Sequence, residues 1–461
     1  MNNEDNQYDV IIVGGGPGGS TVATMLAREG HKVLVLEKQK FPRFHIGESL
    51  TAFAPDALKK LGVYEELNKI NYVKKRGMDF IFPDKTEHID FPEGEIRWAF
   101  QMTRAKFDTV LLQNSKKSGA IIKEQHLVKD IIFDGEQVVG VSYKDVAKNN
   151  NAIKRAYAKW VVDASGQSGL VNKYYKDNCY NDFLLDDKIA VFSHWQGDIG
   201  ITNKEEDINF KLCVHPNRKD WAWFIPLDKD LVSIGVVVDK DSFKNKGKNI
   251  EQIFKEVTSE TPFIKDFLKN KTLKRAEKLQ GIKSFSYRSK NFYGKGWVLT
   301  GDAAGFLDPI FSSGLQITFN GGFKLAEALN KLLKQKEFDE TPLKIYQNFL
   351  TDAFRLNSTL TYRFYRTGID IDLLKNHRYM AFHTKWANPI YALRSLWYGL
   401  QLITEPHQKI ANWGREVLFA SCKPGNKIGK LFLVLAENYE KLNERKIKKA
   451  KPRQEYIEQQ I

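Results

Sequence analysis

The stretch 8-YDVIIVGGGPGGSTVATMLAREGHKVLVLE-37 decides the fold. Residues 8–13 are rich in β-branched apolar side chains and short enough for one buried strand. Gly14, Gly16 and Gly19 follow in the G-x-G-x-x-G register, with Pro17 and Gly18 inside it. Residues 20–30 then place Val22, Leu26 and Ala27 on one side of a helix. Residues 31–36 form a second strand that ends at Glu37. Together they make a complete βαβ unit. Its glycines allow a tight turn and let a pyrophosphate reach the unpaired amides of the helix N-terminus. Glu37, followed by Lys38, stands where an acidic side chain can hold both hydroxyls of an adenosine ribose. FAD and NAD both satisfy this unit.

Working outward, two later strand ends repeat the pattern of small residues after a buried run. Residues 157–162 lead into Asp163-Ala164-Ser165-Gly166, and residues 297–300 lead into Gly301-Asp302. Gly301 allows close approach of a ligand, and Asp302 can accept a hydrogen bond from a sugar-like hydroxyl. Three such turns converging on one dinucleotide exceed what an NAD-only dehydrogenase needs, so FAD is the better reading. Residues 41–49, FPRFHIGES, add polar groups that a plain loop does not require. Arg43, Ile46, Gly47, Glu48 and Ser49 are candidate flavin contacts, with His45 among them. Arg104 joins them from a predicted helix over 101–120. After Asp302 comes F-x-x-P-x-x-S-x-G, formed by Phe306, Pro309, Ser312 and Gly314. Pro309 fixes its own backbone angle, and Gly314 is read as the residue that frees the chain to turn into a helix from Leu315.

Four strand-like runs, 188–192, 208–214, 221–227 and 231–238, have no helix between them and predict an antiparallel sheet. Residues 78–82 and 96–101 are expected to join it. Lys74, Lys75 and Arg76 form a cationic run of the kind usually found in a solvated loop. Residues 250–268 read as helical, and so does the chain from Leu315 onward, with breaks at Pro342, Gly368 and Pro389. The fold class is therefore α/β: a Rossmann-like FAD-binding lobe interleaved with an antiparallel-sheet substrate lobe, plus a helical C-terminal region. The boundaries are 1–75, 101–180 and 286–335 for the first lobe, 76–100 and 181–285 for the second, and 336–461 for the helical region.

The 461 residues suffice for two or three packed lobes. A net charge of +15 suits an acidic partner or, equally, a generally lysine-rich surface. The three cysteines, Cys179, Cys213 and Cys422, show no ligand spacing. They point to a reducing cytoplasm and away from a metal site. No signal peptide or transmembrane run is read, and nothing in the motifs calls for nucleic acid.

Trp221-Ala222-Trp223-Phe224-Ile225-Pro226 has the form W-x-W-x-I-P, and with Phe306, Pro309, Ser312 and Gly314 it resembles the two signatures of the flavin-dependent halogenases. FPRFHIGES is similar to the phenol- and pyrrole-type branch. The resemblance spans residues 8–329. It implies a two-component reaction in which a separate flavin reductase supplies reduced FAD. Dioxygen converts that FAD to a C4a-hydroperoxide, and chloride or bromide attacks its distal oxygen. Hypohalous acid then travels to an aromatic substrate, free or tethered to an acyl carrier protein. The family's lysine precedes a glycine by two positions, which selects Lys75 before Arg76 and Gly77. Trp221, Trp223, Ile225 and Pro226 are expected to wall the space between flavin and tunnel. The competing reading makes the two indoles same-face core residues of a strand. Halide is expected beside the amides of Ser312, Ser313 and Gly314. Two other enzymes share the flavin motifs: an aromatic monooxygenase and a geranylgeranyl-reductase-like flavoprotein.

Overall fold

The computed structural model describes residues 6–366 apart from 71, 91–97, 149–151, 181–184, 186, 201–207, 240–248 and 271. Most of the expected C-terminal helical region, including Cys422, lies outside the described residues.

The first sheet runs in the order Tyr293–Gly294, Trp297–Leu299, Ile153–Asp163, Gln7–Val13, Val33–Leu36, Ile121–Lys123. Its central strands are parallel and buried on both faces. Val10, Ile11, Ile12, Val161, Val162, Val298 and Leu299 have no exposed surface, as apolar strands covered by helices require. The register aligns their C-terminal ends: Val13 is paired with both Leu36 and Asp163, and Asp163 with Leu299. Gly14, Glu37, Ala164 and Thr300 therefore follow one another along a single sheet edge. On one face the helices Pro17–Arg28 and Gly314–Lys334 cross closely. Gly322 permits this, because a Cβ there would come within 2.9 Å of Thr21 Cγ2.

The second sheet runs Lys274–Arg275, Lys188–Gln196, Leu231–Asp239, Trp221–Asp228, Phe210–Val214, Gly77–Ile81, Thr86–Asp90. It is antiparallel except where Phe210–Val214 meets Gly77–Ile81. The period of two sorts its residues cleanly. Ala222 and Phe224 face the helix Ile250–Glu260, while Trp221, Trp223 and Ile225 face the flavin lobe with Phe80, Phe192 and Phe210.

Four sequence expectations change. Ala99–Gln101 does not join the second sheet; it pairs with Val73–Lys75 in a separate two-stranded ribbon. The chain leaves that ribbon at Arg76, where the amides of Arg76 and Gly77 both donate to Asn209 Oδ1. The cationic run is thus no solvated loop, because Lys75 is 1 % exposed. The helical stretch 250–268 is two helices, Ile250–Glu260 and Pro262–Asn270. Pro262 lacks the amide that would continue the first. Finally, Pro342 opens the helix Thr341–Arg366 instead of breaking one.

Candidate active site

One cavity of about 640 Å³ runs from the edge of the first sheet to the apolar face of the second. It is lined at one end by Gly14, Glu37, Lys38 and Lys173 and at the other by Phe192, Phe210, Trp221 and Trp223.

At the nucleotide end Gly14 has φ +103°, a conformation open mainly to glycine. A Cβ there would also strike the Ala164 carbonyl. Glu37 Oε2 accepts from the Gly15 amide at 2.7 Å and Oε1 from the Gln39 amide at 2.8 Å. Its carboxylate therefore fastens the glycine loop while each oxygen keeps acceptor capacity for a ribose. Asp163 is placed differently from the sequence expectation. It sits behind the cavity wall, with its two oxygens taken by the Ser165 and Val171 amides. It shapes the turn whose Ala164, Ser165 and Gly166 reach the cavity.

Arg43, Ile46, Gly47, Glu48, Ser49 and Arg104 all line the cavity. Buried Asp108 organises them. It accepts from Arg104 Nε at 2.7 Å and Nη2 at 3.0 Å, and it lies 3.2 Å from Arg43 Nη2. Arg104 Nη1 also donates to the Ile46 carbonyl at 2.9 Å. Burial works against the charge of both guanidiniums. For Arg104, Asp108 outweighs it and raises the pKa; for Arg43, desolvation prevails and lowers it. Arg43 Nη1 is buried with no protein partner, an orphaned donor of the kind a pyrophosphate oxygen satisfies. The glycine cradle, this donor and the length of the cavity fit a dinucleotide as large as FAD.

Gly301 (φ +59°) and Asp302 close the same edge from the third strand. Beyond them the turn is made at Ser312, whose φ is +54°, and not at Gly314. Gly314 is already helical, and its missing side chain leaves room for Phe306, 3.2 Å from where a Cβ would be. Pro309, Ser312 and Gly314 line the cavity, whereas Ser313 and Pro226 do not. Pro226 sits where the strand pairing slips by one residue, a place that tolerates its missing amide.

At the far end Lys75 Nζ donates to Ser49 Oγ at 2.7 Å and lies 5.8 Å from the centre of the Phe210 ring. Both partners line the cavity; Lys75 stands directly behind them. Burial pulls its pKa down to about 7. Lys74 points elsewhere, over the Trp98 ring. Trp221 and Trp223 line the same end of the cavity as Phe210, their ring centres 6.1 Å apart. Trp223 lies across Gly235, its partner on the next strand, and donates to Ser233 Oγ at 3.1 Å.

Several residues here were not singled out as site residues from sequence. Asp108 carries no motif beyond its helical spacing from Arg104. Asp308 was hidden inside the F-x-x-P signature. His194 has no motif around it, yet its Nε2 lies 2.5 Å from Glu48 Oε1, while Oε2 of that carboxylate is buried with no protein partner. Burial opposes the charge of His194, but Glu48 raises its pKa overall.

Comparisons with known proteins bear on this site. The sequence profile described as tryptophan halogenase matches residues 9–92 and 82–393. The chain is 31% identical over 350 residues to the 1H-pyrrole-2-carbonyl-(peptidyl-carrier protein) brominase of Pseudoalteromonas luteoviolacea (strain 2ta16), covering 75% of this chain and 82% of that protein. It is 30% identical over 393 residues to the corresponding chlorinase of Pseudomonas fluorescens, covering 79% and 85%. Among solved structures, the flavin-dependent brominase Bmp2 superposes with a TM-score of 0.72 at 28% identity, over 94% of this chain and 99% of that one. The myxobacterial chondrochloren halogenase CndH, described as an FAD-dependent halogenase, superposes with a TM-score of 0.66 at 26% identity, over 92% of each chain. Among the described residues no helix is long and apolar enough to cross a membrane. The chain belongs to the tryptophan halogenase family and is a flavin-dependent halogenase with FAD as its cofactor and halide as co-substrate.

Proposed function

We propose that this enzyme halogenates a phenol- or pyrrole-type aryl group presented as a thioester on an acyl carrier protein, with a separate flavin reductase supplying reduced FAD. Bound reduced FAD, with dioxygen and halide, supplies hypohalous acid. Arg43, Arg104, Glu37 and the glycine loop hold and orient the cofactor. The amides around Ser312 to Gly314 hold the halide, where a helix N-terminus favours an anion. Trp221 and Trp223, with Ile225, separate that chemistry from the substrate and suppress direct hydroxylation.

The single observation that carries the reading is Lys75, a fully buried amine directly behind Ser49 and Phe210 of the cavity wall, pulled by burial to about 7. As the ammonium it donates a hydrogen bond to the oxygen of hypohalous acid. The ring carbon takes the halogen, and the oxygen leaves as water with the ring proton. As the neutral amine it attacks the halogen, forms an N–halogen bond with loss of water, and passes the halogen on.

The carrier-bound form is favoured by the +15 charge of the chain, since carrier proteins are acidic, and by the names of the two relatives. The docking face is assigned to residues 354–403, which lie largely outside the described residues. We further propose a cytoplasmic location. We also assign the lobes 1–75, 101–180 and 286–335 to flavin binding, 76–100 and 181–285 to the substrate, and 336–461 to a helical C-terminal region. The test offers one aryl acid, free and as its carrier thioester, with reductase and chloride or bromide, across a salt series. Mass spectrometry should find halogenated thioester, formed fastest at low salt. Efficient halogenation of the free acid with no salt dependence removes the carrier protein from the proposal.

A further inference from the structure

The helix Thr341–Arg366 ends inside the substrate-side core. Phe364 is 1 % exposed, and its ring meets Phe311 at 5.4 Å and Phe80 at 6.0 Å. The next residue, Tyr365, has its hydroxyl between two groups of the site. It accepts from the Trp221 indole N–H at 2.8 Å and donates to Asp308 Oδ2 at 3.0 Å. The other oxygen of Asp308 accepts from the Ile310 amide at 3.0 Å. The direction of every bond is fixed, because an indole only donates, a carboxylate only accepts, and a phenol does both. Three distant segments thus meet on one hydroxyl: the W-x-W strand, the F-x-x-P turn and the last described turn of the C-terminal helix. Trp221 and Asp308 both line the cavity.

We infer that Tyr365 and Asp308 are positioning residues that lock the Trp221 indole in the wall between the flavin end of the cavity and Lys75. The helix Thr341–Arg366 is thereby part of the active site and sets how much oxidant reaches the substrate. This rests on Trp221 serving as that wall. Removing the hydroxyl leaves a buried indole N–H and a buried carboxylate oxygen each without this partner, which favours a rearranged wall over a merely weakened one. The lock also has an acid limit. Burial raises the pKa of Asp308 to about 6, opposed by Lys188 on the strand Lys188–Gln196 and by the bonds from Ile310 and Tyr365. The charged and titratable groups facing the network are Lys188, with Nζ 4.2 Å from the Tyr365 ring centre, and Asp220 beside Trp221. Above pH 6 the carboxylate holds the phenol; below it the bond loses its charge.

The test reads the indole directly, in protein without cofactor. Tryptophan indoles are labelled with 15N, and Trp221 is assigned by the loss of its signal in Trp221→Phe. Tyr365→Phe should shift the Trp221 resonance and speed its exchange with solvent. Trp223, bonded to Ser233, serves as the internal control and should stay in place. Acidification of the wild type should move the Trp221 resonance near pH 6, and Asp308→Asn should abolish that movement. With FAD, reductase and halide, Tyr365→Phe should give severalfold less halogenated product per dioxygen consumed at unchanged FAD affinity. A Trp221 signal unmoved in Tyr365→Phe, or an unchanged product-to-dioxygen ratio, overturns the inference. The acid titration is read in the wild type and needs no substitution beyond the one that assigns Trp221, so a poorly folding Tyr365 or Asp308 variant does not shield the idea. If Trp221→Phe itself leaves the ratio unchanged, the wall reading has failed and the inference falls with it, even though the hydrogen bond stands.

Discussion

At the nucleotide end of the cavity, Arg43 and Arg104 share the carboxylate of buried Asp108. At the other end, Lys75 is equally buried but bonds to a hydroxyl, that of Ser49. Both guanidiniums face an anion built into the fold. The amine is instead made labile, brought by burial to a pKa of about 7. A cofactor site needs fixed charge for a fixed ligand, and a site that handles hypohalous acid needs a proton that can move. Arginine, which does not deprotonate in proteins, serves the first, and lysine the second.

The sharpest way to break this comparison is to exchange the cations. Lys75→Arg keeps the charge and removes the labile proton, and Lys75→Ala removes both. Each should abolish halogenation, measured by mass spectrometry, while FAD binding and dioxygen consumption persist. Next in size is Asp108→Asn. Leaving buried guanidiniums without their carboxylate should cost about 3–5 kcal/mol, read from urea unfolding of the apo-protein. A loss below 1 kcal/mol would mean that the arginines are solvated and the comparison is wrong.

Lys75→Met should, by contrast, stabilise the apo-protein. The folded pKa lies below the unfolded value, so below pH 7 the fold holds a buried charge that the unfolded chain solvates. As pH rises from 7 toward 10 the folded amine is neutral and that cost disappears, at about 1.4 kcal/mol per pH unit. The advantage of the methionine variant should therefore be largest at pH 6 and vanish near pH 10; a pH-independent difference would argue against the depressed pKa. Smaller again is Glu37→Ala, which removes charge-assisted bonds worth roughly 1.5–3 kcal/mol each. FAD affinity, followed by flavin fluorescence, should fall more than tenfold. Lys74→Ala, at a side chain directed over Trp98, should change little.

Much of this was legible in the sequence because the nucleotide end is written locally. A tight turn needs glycines at fixed spacing, and a strand end needs Glu37, so the βαβ unit and its two echoes could be placed directly. The substrate end is assembled from residues far apart in the chain, each ordinary in its own window. Lys75 sits in a cationic run that reads as solvated, and only its burial against Ser49 in the folded chain shows it to be interior. Asp163 was misplaced because a strand-end acid reads the same whether it faces a ligand or its own loop. Gly314 took the credit for a turn that Ser312 makes, since glycine is the usual occupant of positive φ. His194 and Tyr365 carry no motif at all; their partners are set by tertiary contact alone.

The alignment of Val13, Asp163 and Leu299 along one sheet edge also bears on how the protein is born. The cradle's first strand and its neighbour Val33–Leu36 leave the ribosome early, yet its other neighbour, Ile153–Asp163, arrives much later, and the third wall waits for Trp297–Leu299. Parallel pairings between such distant segments carry a large loop-closure cost before any contact repays it, and they fold slowly. Until Leu299 has emerged, the nascent chain exposes strand edges with no partner and has nowhere to hold a dinucleotide. Yield in a heterologous host should therefore depend on chaperone supply and on flavin level during synthesis, more than on the stability of the finished enzyme.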